Sequence, residues 1–253
     1  MSSKQSEDPD PNSQAEPTVS SQRMGSVAVL WGIFLEPAAA FRQIAKHPTW
    51  FLPLLATLVL VLVFNIILID RMGIGNIIRA SMQGDPRADQ LAELAEASSL
   101  SKVMLYVAPL VSTPLFLLAI AGLFLLAFSL SGKDVTFKKS LAVVCHSFFA
   151  YSVVSTFLML LTVFFAGDLS QLDLRNPIAS NLGFFLDPSD IGKFLYNVAS
   201  SIDVLSLWMV FLLITGFVAV SSNLRATTAR AVVLSLWCAY VLLKSIWAAA
   251  FGR

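Results

Sequence analysis

Five long apolar stretches occupy most of the chain after residue 49, and no acidic residue lies well inside any of them. Only 13% of the residues are charged, whereas soluble domains average about 25%. Such a chain cannot hide its apolar surface from water by folding alone, so we expect the bilayer to be its solvent. The predicted spans are 50–69, 103–130, 141–166, 204–220 and 231–251.

The length and continuity of these stretches predict helices. A spanning helix needs about 20 apolar residues, and a membrane barrel would show alternating apolar and polar positions instead. The predicted fold class is therefore all-α, a polytopic membrane bundle of five transmembrane helices with amphipathic interfacial helices. Residues 1–24 are polar and rich in Ser, Pro and acid, which predicts a disordered cytoplasmic tail. Residues 25–253 are then the membrane domain.

An amphipathic segment precedes the first predicted span. Pro37 suits the first turn of a helix, in which Phe41 and Ile44 are apolar while Arg42 and Lys46 stack four residues apart. One interpretation is an interfacial helix whose two basic residues bind anionic lipid head groups. The alternative is a short cap packed under the bundle.

Two compact loops indicate the orientation. Residues 132–139 hold three lysines and one acid, and residues 221–230 hold two arginines and no acid. Because Lys and Arg accumulate on the cytoplasmic side, we expect a cytoplasmic N-terminus and a C-terminus outside.

Polar residues inside the predicted spans are the candidate functional residues. Lys244 lies in the fifth span and Asp203 at the start of the fourth, so they are candidates for an ion pair. Alternatively, Lys244 extends to the interface or takes part in translocation. His146 is predicted to be a core or interfacial residue, because a metal site needs further ligands. Asn65 is predicted to bond between helices rather than to line a pore.

Signatures of catalysis are missing from the sequence. It contains no glycine loop of the phosphate-binding type, no HExxH, no GxSxG and no clustered acid pair within the spans. We therefore expect no enzyme, no cofactor and no metal. The formal net charge of +1 gives no reason to expect a nucleic acid partner.

Several short motifs, in order along the spans, resemble the Yip family, five-helix membrane proteins that interact with Ypt/Rab GTPases, in its prokaryotic branch. They include Phe51-Leu52-Pro53 at the first span, Thr136-Phe137-Lys138 before the third and Asp203-x-x-Ser206-Leu207-Trp208 at the fourth. The resemblance implies a cytosolic N-terminus, five spans and no catalysis. The cytosolic Asp-Leu-x-Gly-Pro motif of the eukaryotic members is absent.

The predicted function is a non-enzymatic membrane scaffold or adaptor that binds another membrane protein. The resemblance implies an ABC-type exporter as one such partner and the bacterial inner membrane as the location. A small transporter or channel, a lipid-organising protein acting through Arg42 and Lys46, and a homo-oligomer remain open.

Overall fold

The computed structural model describes residues 25–82, 85–165, 180–221 and 223–251, so the predicted N-terminal tail lies outside the described residues. Within these ranges the chain is helical, with a short 3-10 helix at Leu182–Phe185. The α-helices are α1 (Ser26–Leu35), α2 (Pro37–Lys46), α3 (Phe51–Met72), α4 (Ile74–Ser81), α5 (Ala88–Ala97), α6 (Ser99–Leu130), α7 (Phe137–Phe165), α8 (Pro188–Ser200), α9 (Val204–Val220) and α10 (Ala226–Phe251).

Four of these helices, α3, α6, α7 and α10, are long and apolar enough to cross a membrane. The predicted all-α membrane class is therefore confirmed. The fourth predicted span is α9, which has 17 residues and a length of about 26 Å at 1.5 Å per residue. Its length is close to the lower limit for crossing a bilayer, so the count of five spans is not established by helix length.

Three of the long helices begin earlier than the apolar runs predict. α6 begins at Ser99, α7 at Phe137 and α10 at Ala226. Polar side chains support two of these starts, because Ser98 Oγ accepts the Ser101 amide at 3.3 Å and Thr136 Oγ1 accepts the Lys139 amide at 3.4 Å. The backbone thus continues its helical hydrogen bonds beyond the apolar run.

The first half of α7 lies at the centre of the bundle. Every residue from 140 to 147 is buried. Ser140 Oγ donates to the Ala121 carbonyl of α6 at 2.8 Å, and Lys139 Nζ donates to the Val220 carbonyl of α9 at 2.9 Å. Two side-chain donors therefore join one end of α7 to α6 and to α9.

Aromatic rings fill the space between α6 and α9. The Phe217 ring lies 4.7 Å from the rings of both Phe124 and Phe128, measured between centroids. Phe128 and Phe217 are fully buried. On the outer surface of the bundle, large apolar side chains such as Val59 and Ile66 of α3 are exposed, as expected where lipid is the solvent.

The N-terminal segment, defined as α1 and α2, packs into the bundle. The ring of Phe34 contacts Trp208 and Phe149 at centroid distances of 6.0 and 6.2 Å. Phe41 lies against Gly216. Phe34 of α1 and Phe41 of α2 therefore contact successive positions along α9, and α2 lies beside that helix.

Of the two interpretations of this segment, the packed cap agrees with the structure. Phe41 and Ile44 are 0% and 1% exposed, so the apolar face of α2 contacts protein and not the acyl chains. The interfacial interpretation is wrong for that face. Arg42 and Lys46 point outward and are exposed, and their contact with lipid head groups stays a prediction.

Short amphipathic helices also connect α3 to α6 and lead into α9. α4 and α5 are joined by Arg79, whose guanidinium lies 3.0 Å from Asp89 and 3.9 Å from Glu96. α8 contains a break at Gly192, where φ is +76°, a conformation that favours glycine.

Candidate functional site

A cavity of about 810 Å³ lies among α6, α7, α9 and α10. Its size is within the range of about 300–1,000 Å³ that is usual for small-molecule sites. One end is lined by polar side chains and the remainder by apolar ones. The polar group comprises Tyr151, Ser155, Thr156, Ser180, Asn181, Ser200, Ser201, Asp203, Ser206, Tyr240 and Lys244.

Asp203 is held in place by the start of α9. Its Oδ1 accepts the amides of Leu205 and Ser206 at 2.9 and 3.0 Å, and its Oδ2 accepts the Ser206 hydroxyl. This is the geometry of a helix N-cap, in which a carboxylate satisfies free amides and opposes the positive end of the helix dipole. The carboxylate is thus occupied by its own helix.

The loop before α8 is fixed to the same place. Asn181 forms an antiparallel bridge with Asp203, and the Leu182 amide donates to the Ile202 carbonyl at 3.2 Å. These backbone contacts position Asn181 at the polar end of the cavity.

Lys244 reaches the cavity from α10. Its Nζ donates to Ser201 Oγ at 3.3 Å, a long hydrogen bond to a neutral partner. Lys244 and Asp203 both line the cavity, but the three ion pairs found among the described residues do not include them. The predicted ion pair is therefore not formed, because the hydrogen bonds of Asp203 are directed into α9.

One hydroxyl near this end has no hydrogen-bond partner among the described residues. Ser200 Oγ is buried against Gly183. A buried hydroxyl without a partner is costly unless water or a ligand supplies one. Tyr240, four residues before Lys244, lies on the same face of α10 and also lines the cavity.

The apolar walls come mainly from α6, α9 and α10. The rings of Phe116 and Phe148 meet edge to face at 5.6 Å. Other apolar residues of the walls include Ile120, Leu123, Met159, Met209, Leu213 and Trp237. Leu123 and Leu243 are 49% and 68% exposed, so the cavity reaches the side of the bundle that faces lipid.

The other sequence-predicted residues lie elsewhere. His146 is 1% exposed and its Nδ1 lies 2.8 Å from the Ala142 carbonyl of its own helix. Asn65 Nδ2 donates to the Val61 carbonyl of its own helix at 2.8 Å, and the interhelical hydrogen bond expected of Asn65 stays a prediction. A polar side chain in a helix can donate a hydrogen bond to the backbone carbonyl four residues earlier in the same helix. Neither His146 nor Asn65 lines the cavity.

Sequence reasoning missed Tyr240, Ser200 and Asn181. Tyr240 carried a usable signal, because a tyrosine and a lysine four residues apart place two polar groups on one face of an apolar helix. Ser200 and Asn181 carried none, since their position at the cavity depends on how α8 and the segment before it fold. Among the described residues, no three His, Cys, Asp or Glu side chains are close enough together to hold a metal ion.

Comparison with known proteins identifies one family. The family model described as the Yip1 domain matches residues 31–248, which includes the N-terminal segment from Trp31 onward and every residue that lines the cavity. No curated protein and no solved structure matches the chain significantly.

Proposed function

The chain belongs to the Yip family of integral membrane proteins, and from this we propose that it is a non-enzymatic membrane adaptor that binds another integral membrane protein. The observation that carries the proposal is an exposed apolar stripe on α1. We call this surface the α1 stripe and define it as Val27, Trp31 and Leu35.

The α1 stripe is distinct from the buried face of its helix. Val27, Trp31 and Leu35 are 61%, 65% and 81% exposed, and their spacing of four residues places them on one face. On the opposite face Ile33 is 0% exposed. The N-terminal segment is therefore anchored to the bundle while a tryptophan-centred face points away from it.

α1, which carries the stripe, is too short to cross the bilayer, so membrane crossing does not explain its exposed apolar face. α1 has 10 residues, about 15 Å at 1.5 Å per residue, which is half of a bilayer core. Ala28 is exposed and Gly32 half-buried, and small residues four apart let a second membrane helix approach closely. A helix of another membrane protein fits this surface.

The proposed partner class comes from the family resemblance. Some prokaryotic members resemble accessory proteins that sit beside ABC-type exporters, so such an exporter is the partner we propose. We also propose the bacterial inner membrane as location, with a cytoplasmic N-terminus, five crossings including α9, and the C-terminus outside.

The alternative of a small transporter is less well supported. Its candidate residues, Lys244, His146 and Asn65, do not converge, since only Lys244 lines the cavity. The lipid-organising alternative retains one supporting observation, the exposure of Arg42 and Lys46 at the end of α2.

Photocrosslinking in native membranes tests the adaptor proposal. A photoreactive phenylalanine at Trp31 is expected to give a discrete adduct with a subunit of an ABC-type exporter. The matched control is the same residue at Phe157 of α7, which is 59% exposed and should react with lipid only. Lipid adducts alone at both positions, or an adduct with a second copy of the chain, would contradict the proposal.

A further inference from the structure

We propose that the cavity among α6, α7, α9 and α10 binds a phosphate-bearing membrane lipid, with the phosphate at Lys244 and the acyl chains along the apolar walls. This site is separate from the α1 stripe and does not depend on the adaptor proposal.

The shape of the cavity favours an amphiphile. Polar groups gather at the end where α9 begins, and the walls beyond them are formed by residues such as Phe116, Ile120 and Leu213. A purely polar solute would leave those walls without apolar contact, and a pure hydrocarbon would leave the polar end without partners.

The hydrogen bonding at the polar end leaves the ammonium of Lys244 available to an anion. Both carboxylate oxygens of Asp203 already accept hydrogen bonds from the first turn of α9. Among the described residues, Lys244 donates to the Ser201 hydroxyl alone, at 3.3 Å. A lysine in a membrane protein is stabilised by a nearby anion, and the phosphate of a lipid supplies that charge together with oxygens that accept several donors.

Hydroxyl groups lie at the same end of the cavity as this lysine. They belong to Ser201, which accepts from Lys244, and to Tyr240, four residues earlier on the same face of α10. A phosphate oxygen accepts hydrogen bonds from an ammonium and from hydroxyls. The polar end therefore offers an anionic group one cation with hydroxyl donors beside it.

The exposed residues at the cavity opening indicate that the ligand comes from the bilayer and not from the aqueous phase. Leu123, Tyr240 and Leu243 line it and are 49%, 57% and 68% exposed. These residues lie on helices that cross the bilayer, so a lipid can enter from the side without leaving the membrane. A soluble phosphate has no apolar group to occupy the walls.

Native mass spectrometry of the full chain in detergent tests the proposal with defined probes. The probes are dioleoyl phosphatidylglycerol, dioleoylglycerol, which has the same chains without the phosphate, and inorganic phosphate. One phosphatidylglycerol per protein is expected to remain bound, in clear excess over dioleoylglycerol, and inorganic phosphate should not displace it.

Two kinds of variant test the two ends separately. Lys244→Gln should weaken phosphatidylglycerol binding about tenfold, the effect expected for loss of a charge-assisted hydrogen bond, and Lys244→Arg should retain most of it. Lys102→Gln, which removes an exposed lysine outside this cavity, should change nothing. Ala239→Phe should weaken phosphatidylglycerol binding with Lys244 intact, because Ala239 lines the cavity and the added ring occupies the space for the acyl chains.

Four results would overturn the proposal. They are equal retention of dioleoylglycerol, displacement by inorganic phosphate, equal losses in Lys244→Gln and Lys102→Gln, and unchanged binding in Ala239→Phe. A wild-type circular dichroism spectrum for each variant ensures that a loss of binding is not a loss of the fold.

Discussion

Gly216 is the residue on which the packing of α9 depends most directly. A Cβ atom at this position would lie 2.6 Å from Val143 Cγ1 and 2.9 Å from Phe41 Cε1. Val143 and Phe41 are both 0% exposed, so neither side chain has room to move away. One glycine thus allows α7, α9 and the N-terminal segment to meet.

Replacing this glycine is expected to destabilise the bundle. Gly216→Ala should lower the free energy of unfolding by about 1–3 kcal/mol, the usual cost of overpacking a core. Thermal unfolding in detergent measures the effect. Gly122→Ala is the matched control, because nothing lies within 4 Å of a Cβ there and alanine favours a helix over glycine. Equal midpoints for both variants would show that α9 is not closely packed at Gly216.

Single residues also show which contacts the sequence alone can predict and which it cannot. The position of Asp203 at the start of α9 was predictable, because an acid before an apolar run is a common N-cap. The partner of Lys244 was not. The predicted pairing with Asp203 does not form because both carboxylate oxygens accept hydrogen bonds from α9. Only the atomic geometry shows this.

At the scale of the element, the N-terminal segment is the part that the sequence left undecided. An apolar face at Phe41 and Ile44 has the same pattern whether it contacts lipid or protein. The structure places it against α9, where Gly216 provides the space. The periodicity of an amphipathic helix therefore predicts which face is buried but not what buries it.

The packing of α2 can be tested by truncating one side chain. Phe41→Ala should lower the free energy of unfolding by on the order of 3 kcal/mol, because it leaves a cavity in the core. Arg42→Ala, which changes an exposed neighbour, should have little effect. The unfolding midpoints of the two variants in detergent give the comparison. A wild-type midpoint for Phe41→Ala would indicate that α2 lies on the bilayer and not in the bundle.

Other elements were predicted to within a few residues. α9 has the predicted bounds because Asp203 caps it and its apolar run stops where the helix stops. The start of α10 at Ala226, within a polar stretch, was missed because helical hydrogen bonds continue where hydrophobicity has ended.

At the scale of the whole molecule, the sequence predicted the class of fold but not the cavity. Long apolar runs identify membrane helices whatever their neighbours are. The cavity is formed by residues as distant in sequence as Phe116, Ser155 and Lys244, and its existence depends on how α6 and α10 are placed. The cavity and the α1 stripe occupy different elements, so lipid binding and partner binding can be altered separately.

The arrangement of the whole molecule depends on whether α9 crosses the bilayer, since α2 runs beside it and the cavity lies along it. Reporter fusions in bacterial cells measure the number of crossings directly. Green fluorescent protein is fused to each end of the chain, and alkaline phosphatase is the alternative fusion at the C-terminus. Five crossings from a cytoplasmic N-terminus predict fluorescence at the N-terminus, no fluorescence at the C-terminus and an active phosphatase there. Fluorescence at both ends would show an even number of crossings and contradict the five-span bundle.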